Sequence, residues 1–115
     1  MGVRGGLARS GFDETAEALY LTSGYVYGSA EEAAEAFADE IDRFMYSRFG
    51  NPTVRMFEER MKALEGAPAA FATATGMAAV FTALGAVLGA GDRVVASREL
   101  FGSCHVILDD ILPRW

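Results

Sequence analysis

Between Glu65 and Asp92 the chain carries no charged residue. A run of that length has to be buried, in protein or in a membrane, and its length alone would permit a membrane span. Its composition points to protein. The run is built from Ala, Thr and Gly rather than Leu and Ile, with Pro68 near one end and Thr75-Gly76 in its middle. Such residues interrupt a single long helix and divide the run into pieces. "AAFATA" is expected to form a buried strand, Thr75-Gly76 a tight turn, and "GMAAVFTALGAVL" a helix that is apolar nearly all round, as buried helices are. "AGDRVVAS" then supplies a turn and a second strand. Val94 and Val95 are consecutive and apolar, which suits a strand covered on both faces. Strand, helix and strand in this order predict one right-handed βαβ unit of an α/β sheet.

The remainder of the 115 residues reads as a lead-in to that unit. Residues 1–28 are irregular and glycine-rich, and "LYLTSGYVYG" reads as an extended arm. Ser29 and Glu32 form a capping box, in which the glutamate can reach back to the N–H of the cap. The helix they start runs to about Ile41, with Ala33, Ala34, Phe37 and Ile41 as a narrow apolar stripe. A second helix begins at "NPT". Asn51 precedes a proline and is pushed away from α geometry, and Thr53 can cap. Val54, Phe57, Met61 and Leu64 recur at helical spacing, and Gly66 suits a left-handed C-cap. "FGSCHVILDDIL" begins a further helix.

Charge and cysteine content narrow the function classes. The net charge is −6, whereas nucleic-acid or anionic-membrane surfaces need a basic patch. Cys104 is the only cysteine, so no internal disulfide is possible and a reduced, cytoplasmic setting is expected. The opening "MGVRGGLARSGF" lacks the apolar core of a secretory signal. No cluster of His, Cys and Asp has metal-ligand spacing. Cys104 and His105 are adjacent, and neighbours on a helix do not face each other. Asp109 and Asp110 read as a solvated face.

Three places could bind a ligand. The glycine of Ala74-Thr75-Gly76-Met77 lets backbone approach a ligand closely, and the unpaired N–H groups at a helix start favour phosphate. Tyr46 and Arg48 stand two apart; in extended backbone they would point the same way, a phenol beside a guanidinium fork suited to phosphate. Phe101 follows the second expected strand, at the sheet edge where α/β folds bind ligands, and an aromatic there can stack on a planar ring. Each has a plain alternative: a packing glycine, a surface arginine beside a packed tyrosine, a core phenylalanine.

Along the chain stand "YSRFGNPT", a helix closed by "LEG", then "TGMAA" and "GDRVVASRELFG". The series resembles the opening part of the Cys/Met-metabolism family of pyridoxal-phosphate (PLP) enzymes. That family includes cystathionine γ-synthase, cystathionine β-lyase, methionine γ-lyase and the homoserine-ester sulfhydrylases. The resemblance runs from about "ETAEALYLTSGY" onward, with order and spacing matched. The arm "TSGYVYGSAEEAAEAF" and the "LFGS" stretch are most similar to the O-succinylhomoserine sulfhydrylases within it.

The resemblance implies the N-terminal portion of a fold-type-I PLP-dependent transferase, an α/β architecture, in tetramers built from dimers. Residues 1–52 would be an arm and helix contacting the neighbouring subunit, and 53–115 the incomplete start of the PLP-binding large domain. Tyr46 and Arg48 would reach the neighbour's PLP phosphate. The N–H groups of Gly76 and Met77 would bind the phosphate within the subunit, and Phe101 would stack on the pyridine ring. The implied substrates are an O-acylhomoserine and a sulfur donor, the implied product homocysteine in methionine biosynthesis. Many relatives have Tyr where this chain has Phe101, a departure that tilts toward the sulfhydrylases. The family's cofactor-bearing lysine, the Asp against the pyridine nitrogen and the late substrate-binding Arg would all lie beyond Trp115. Lys62 is the only lysine and sits in an amphipathic helix, so the chain alone is expected to be inactive. The alternatives are a cystathionine γ-synthase or methionine γ-lyase, or a non-catalytic truncated product that docks on full-length subunits.

Overall fold

Ser29 opens the first helix, α1 (Ala30–Phe37), accepting the N–H of Glu32 at 3.1 Å. The Glu32 carboxylate reaches back as a capping box requires, but to the N–H of Gly28 rather than to that of Ser29. The helix stops at Phe37, short of the expected Ile41, because Asp39 takes a left-handed φ of 60° that α-helix cannot continue. Its packed residue is Ala36, 1% exposed, whereas Phe37 is 68% exposed. The expected stripe is therefore not the packed face. Periodicity says which side chains share a face, not which face has something to lie against.

This structure, a computed structural model, describes residues 4–115, so the first three residues of the expected irregular lead-in lie outside the described residues. It divides into one unit ending at Phe71 and another running from Ala72 to Trp115. In the first unit, α2 (Pro52–Glu65) follows α1. Its N-cap is Asn51, in extended geometry, whose side-chain oxygen accepts the Thr53 N–H at 2.8 Å; Pro52 fills the first helical position, where no donor is needed. Thr53, the expected cap, is engaged elsewhere. Its hydroxyl accepts the N–H of Tyr20 in the arm at 2.9 Å. Gly66 ends α2 as expected, with φ 64°. Met56 is buried, while Val54, Phe57 and Leu64 stand exposed. The arm is irregular and carries one antiparallel bridge, between Gly24 and Tyr46.

In the second unit, Thr75 caps α3 (Gly76–Val87) by accepting the Ala78 N–H at 3.0 Å. A short helix, α4 (Gly102–Val106), continues without a break through a wider turn at Ile107–Ile111 and a tighter one at Leu112–Arg114. Helices α3 and α4 touch, and Trp115 meets the ring of Phe81 edge-on at 5.2 Å. Ile107 is the buried residue of this unit, and α3 buries none.

The expected βαβ unit is only partly present. Its helix forms, but no strand is assigned among the described residues, either before α3 or after it. A strand exists only through hydrogen bonds to a neighbour, and the backbone of 93–97 finds none among the described residues. Val95 is 91% exposed and Phe71 81%. Among the described residues no helix is long and apolar enough to cross a membrane.

Candidate functional site

"YSRFGNPT" forms a turn rather than the extended segment expected. The carbonyl of Tyr46 accepts the N–H groups of Phe49, at 2.9 Å, and Gly50, at 3.1 Å. The turn nevertheless brings Tyr46 and Arg48 together. The Arg48 guanidinium lies 5.0 Å from the centre of the Tyr46 ring and 5.4 Å from that of Phe49. These are cation–π distances, and they hold the side chain without using its N–H fork. Among the described residues Arg48 has no carboxylate partner, unlike Arg43, Arg55 and Arg60, which pair with Glu32, Asp42 and Glu17. An exposed guanidinium with an unspent fork is suited to an anion.

The arm holds this turn in place. Gly24 bridges Tyr46, and the Ser47 N–H donates to the carbonyl of Ser23 at 2.9 Å. The Ser47 hydroxyl bonds the carbonyl of Thr22. Farther along, Arg43 pairs with Glu32, donates to the carbonyl of Val26 at 2.8 Å and lies over the ring of Tyr27. The contacts that Ser47 and Asn51 make with the arm are ones the sequence reading missed. The Asn-Pro pair marked a helix start, but nothing local pointed to contacts some thirty residues away.

In the second unit, the Thr75 hydroxyl takes the N–H of Ala78 and leaves those of Gly76 and Met77 without a partner among the described residues. At the start of a twelve-residue helix, two free donors backed by the helix dipole make a place for negative charge. Gly76 needs no glycine for packing here. A Cβ built on it would meet nothing within 4 Å, and its φ is not positive.

Phe101 stands at the N-cap position of α4, 69% exposed, with no ring contact among the described residues. Its carbonyl accepts the Cys104 N–H at 2.8 Å. The loop leading to it is tied by His105, whose Nε2 lies 3.0 Å from the carbonyl of Arg98. A carbonyl only accepts, so Nε2 carries the proton.

The other singled-out residues are less engaged. Lys62 pairs with Glu59 on α2 at 2.9 Å. Cys104 is a free thiol with no part in a Cys–His pair, since the ring of its neighbour turns toward Arg98 and Asp109. Asp109 and Asp110 are exposed, as expected. No metal-binding cluster occurs among the described residues. A concavity of about 790 Å³ in the second unit is lined by Leu88, Arg93, Arg98, His105 and Trp115, and includes none of Gly76, Met77 and Phe101.

Comparison with known proteins agrees with the motifs. O-succinylhomoserine sulfhydrylase of Mycobacterium tuberculosis is 71% identical over 115 residues, which is 100% of this chain and 28% of that protein. The Pseudomonas aeruginosa protein of the same name is 45% identical over the same length and share. L-methionine gamma-lyase of Porphyromonas gingivalis is 34% identical over 113 residues, 98% of this chain and 28% of that one. The chain thus spans little more than a quarter of these relatives. The family model for Cys/Met metabolism PLP-dependent enzymes matches residues 1–115, the whole chain, and the chain belongs to that family.

Proposed function

We propose that the chain is the N-terminal part of a PLP-dependent O-succinylhomoserine sulfhydrylase. The observation that carries this is the 71% identity to a protein of that name across every residue of the chain. The family is PLP-dependent, and the residues present fit that cofactor's two ends. Two free N–H groups at a helix start suit its phosphate, and an exposed phenyl ring suits its pyridine. In this reading Gly76 and Met77 hold the phosphate within the subunit, and Phe101 stacks on the ring. Tyr46 and Arg48 hold the phosphate of a neighbouring subunit's cofactor. Residues 1–52 are the arm and helix that touch that neighbour, and 53–115 begin the large PLP-binding domain, where 69–74 and 93–97 become strands of its parallel sheet. The assembly is a homo-oligomer in the cytoplasm.

When bound, PLP supplies an electron sink for charge developing beside the substrate amino group. The residues of this chain position it. Preorganised donors on the phosphate and an aromatic face on the ring fix its orientation. The substrates would be O-succinylhomoserine and a sulfur donor, with homocysteine and succinate as products. Assay of the complete subunit with O-succinylhomoserine and sulfide should yield homocysteine. Cystathionine formed from cysteine in preference, or breakdown of methionine as the main activity, would assign the chain to a γ-synthase or a γ-lyase instead.

A further inference from the structure

Asn51 is the one polar residue that is buried among the described residues, at 6% exposure. A buried amide is destabilising unless its bonds are made, and this one makes three. Its Nδ2 donates to the carbonyl of Tyr20 at 2.9 Å and to the hydroxyl of Ser47 at 3.0 Å. Its Oδ1 accepts the N–H of Thr53 at 2.8 Å. One side chain therefore joins the arm, the turn and the first turn of α2. Ser47 stands between Tyr46 and Arg48, and its own hydroxyl and N–H fasten the arm at Thr22 and Ser23. Only an amide serves all three partners, because it offers donor and acceptor on one planar group.

We propose that Asn51 is a positioning residue. It fixes the turn that presents Tyr46 and Arg48, and so sets how well that pair engages a phosphate. This rests on the assignment of Arg48 to a neighbour's PLP phosphate. A helix cap alone would explain the Thr53 bond but not the two bonds made by Nδ2, which serve the arm and the turn.

Asn51→Asp separates the two roles. The aspartate caps a helix as well as asparagine does, but it sets an oxygen against the Tyr20 carbonyl where a donor stood. In the complete subunit carrying this sequence, Asn51→Asp should raise the PLP dissociation constant about tenfold, the scale of a lost buried hydrogen bond. In an Arg48→Ala background the same replacement should change it by clearly less, about threefold at most, because of the two groups it positions only Tyr46 remains. Asn51→Ser, uncharged and still able to cap, is the second variant if the aspartate does not fold. An equal loss of affinity in both backgrounds would mean a general stability effect and would overturn the positioning role. So would unchanged affinity in Asn51→Asp and Asn51→Ser while Arg48→Ala weakens binding. If Arg48→Ala itself leaves PLP binding unchanged, the phosphate assignment fails, and the positioning role fails with it.

Discussion

In the unit ending at Phe71, irregular backbone is fastened by side chains. The Thr53 hydroxyl takes the N–H of Tyr20, the Asn51 amide its carbonyl, Arg43 the carbonyl of Val26, and Arg60 the carbonyl of Gly5. In the unit beginning at Ala72, the backbone of 93–97 has no such help among the described residues. Every residue of that segment is exposed, and Val94 and Val95 offer no polar group to substitute for a ladder. Both arrangements must answer the same demand, that backbone N–H and C=O groups find partners once water is removed. An arm satisfied by side chains can keep its shape without a sheet. A segment of consecutive valines is suited to sheet neighbours and lacks definition without them. The unit with the free helix N-terminus is thus the one that depends more on surroundings.

The largest expected effect tests that contrast directly. In the isolated chain, amides at 93–97 and in α3 should exchange with solvent at nearly unprotected rates, and the chain should associate through the unpaired backbone of 93–97 and exposed apolar surface. The Tyr20, Ser47 and Thr53 amides should be the more protected. Hydrogen exchange on a confirmed monomer measures both. Slow exchange across 93–97, with a cooperative thermal transition, would erase the distinction between the units.

The second test concerns covalent chemistry. The unit with the free helix N-terminus has no lysine, and Lys62 in the other unit is engaged by Glu59. Mixing the chain with PLP and reducing with borohydride should leave no stoichiometric adduct. A specific adduct mapped to Lys62 would contradict this.

Next in size is Arg48→Ala in the complete subunit. Loss of a charged hydrogen bond should weaken PLP binding by about 1.5–3 kcal/mol. Mixing this variant with one lacking the cofactor-bearing lysine should restore part of the activity, since some hybrid dimers would hold one intact site. No recovery despite proven subunit exchange would place Arg48 in its own subunit's site.

Gly76→Ala sharpens the contrast from the other side. With open space at the Cβ position, alanine should leave stability unchanged or raise it by about 0.4–1 kcal/mol. PLP affinity should fall, because the new methyl group stands beside the two free N–H groups. Unchanged affinity would remove Gly76 from the phosphate site.

The smallest effect is a pH dependence confined to the unit ending at Phe71. The Glu17 carboxyl lies below its ordinary value of 4.5, through a backbone hydrogen bond and then through Arg60. Bonds within and next to the arm, chiefly from the Ser10 hydroxyl, also lower Glu14. A depressed carboxylate adds stability above its unfolded-state pKa and loses it as pH falls through the folded value. Acidification below about 4.5 should therefore loosen the arm from α2 before it disturbs α3, which has no acidic residue. NMR titration of the Glu17 carboxyl and the Arg60 side chain would detect this, and simultaneous changes in α3 would refute it.

Local chemistry was legible in the sequence, and facing was not. The Ser29 cap, the left-handed Gly66 and the helix beginning at Gly76 follow from residues within a turn of each feature. Thr53 was expected to cap α2, and Asn51 caps it instead. Thr53 lies inside the helix, after Pro52, and its hydroxyl instead accepts the N–H of Tyr20, thirty-three residues away. Likewise Val54, Phe57 and Leu64 share a face by spacing, yet within the described chain they stand exposed and Met56 is buried instead. Tyr46 and Arg48 were expected side by side from extended backbone. They are side by side through a turn.

By itself the sequence determined the Ser29 and Gly66 caps, the start of α3 at Gly76, the apolar character of α3 and the family. These depend on bonds to near neighbours or on composition, which no tertiary contact can alter. Only the tertiary structure decided which oxygen caps α2, which helix face is packed, and that Asn51 joins arm, turn and helix through one amide. Those outcomes turn on partners distant in the chain, and whether a hydrogen bond is made is a matter of tenths of an ångström in where those partners come to rest.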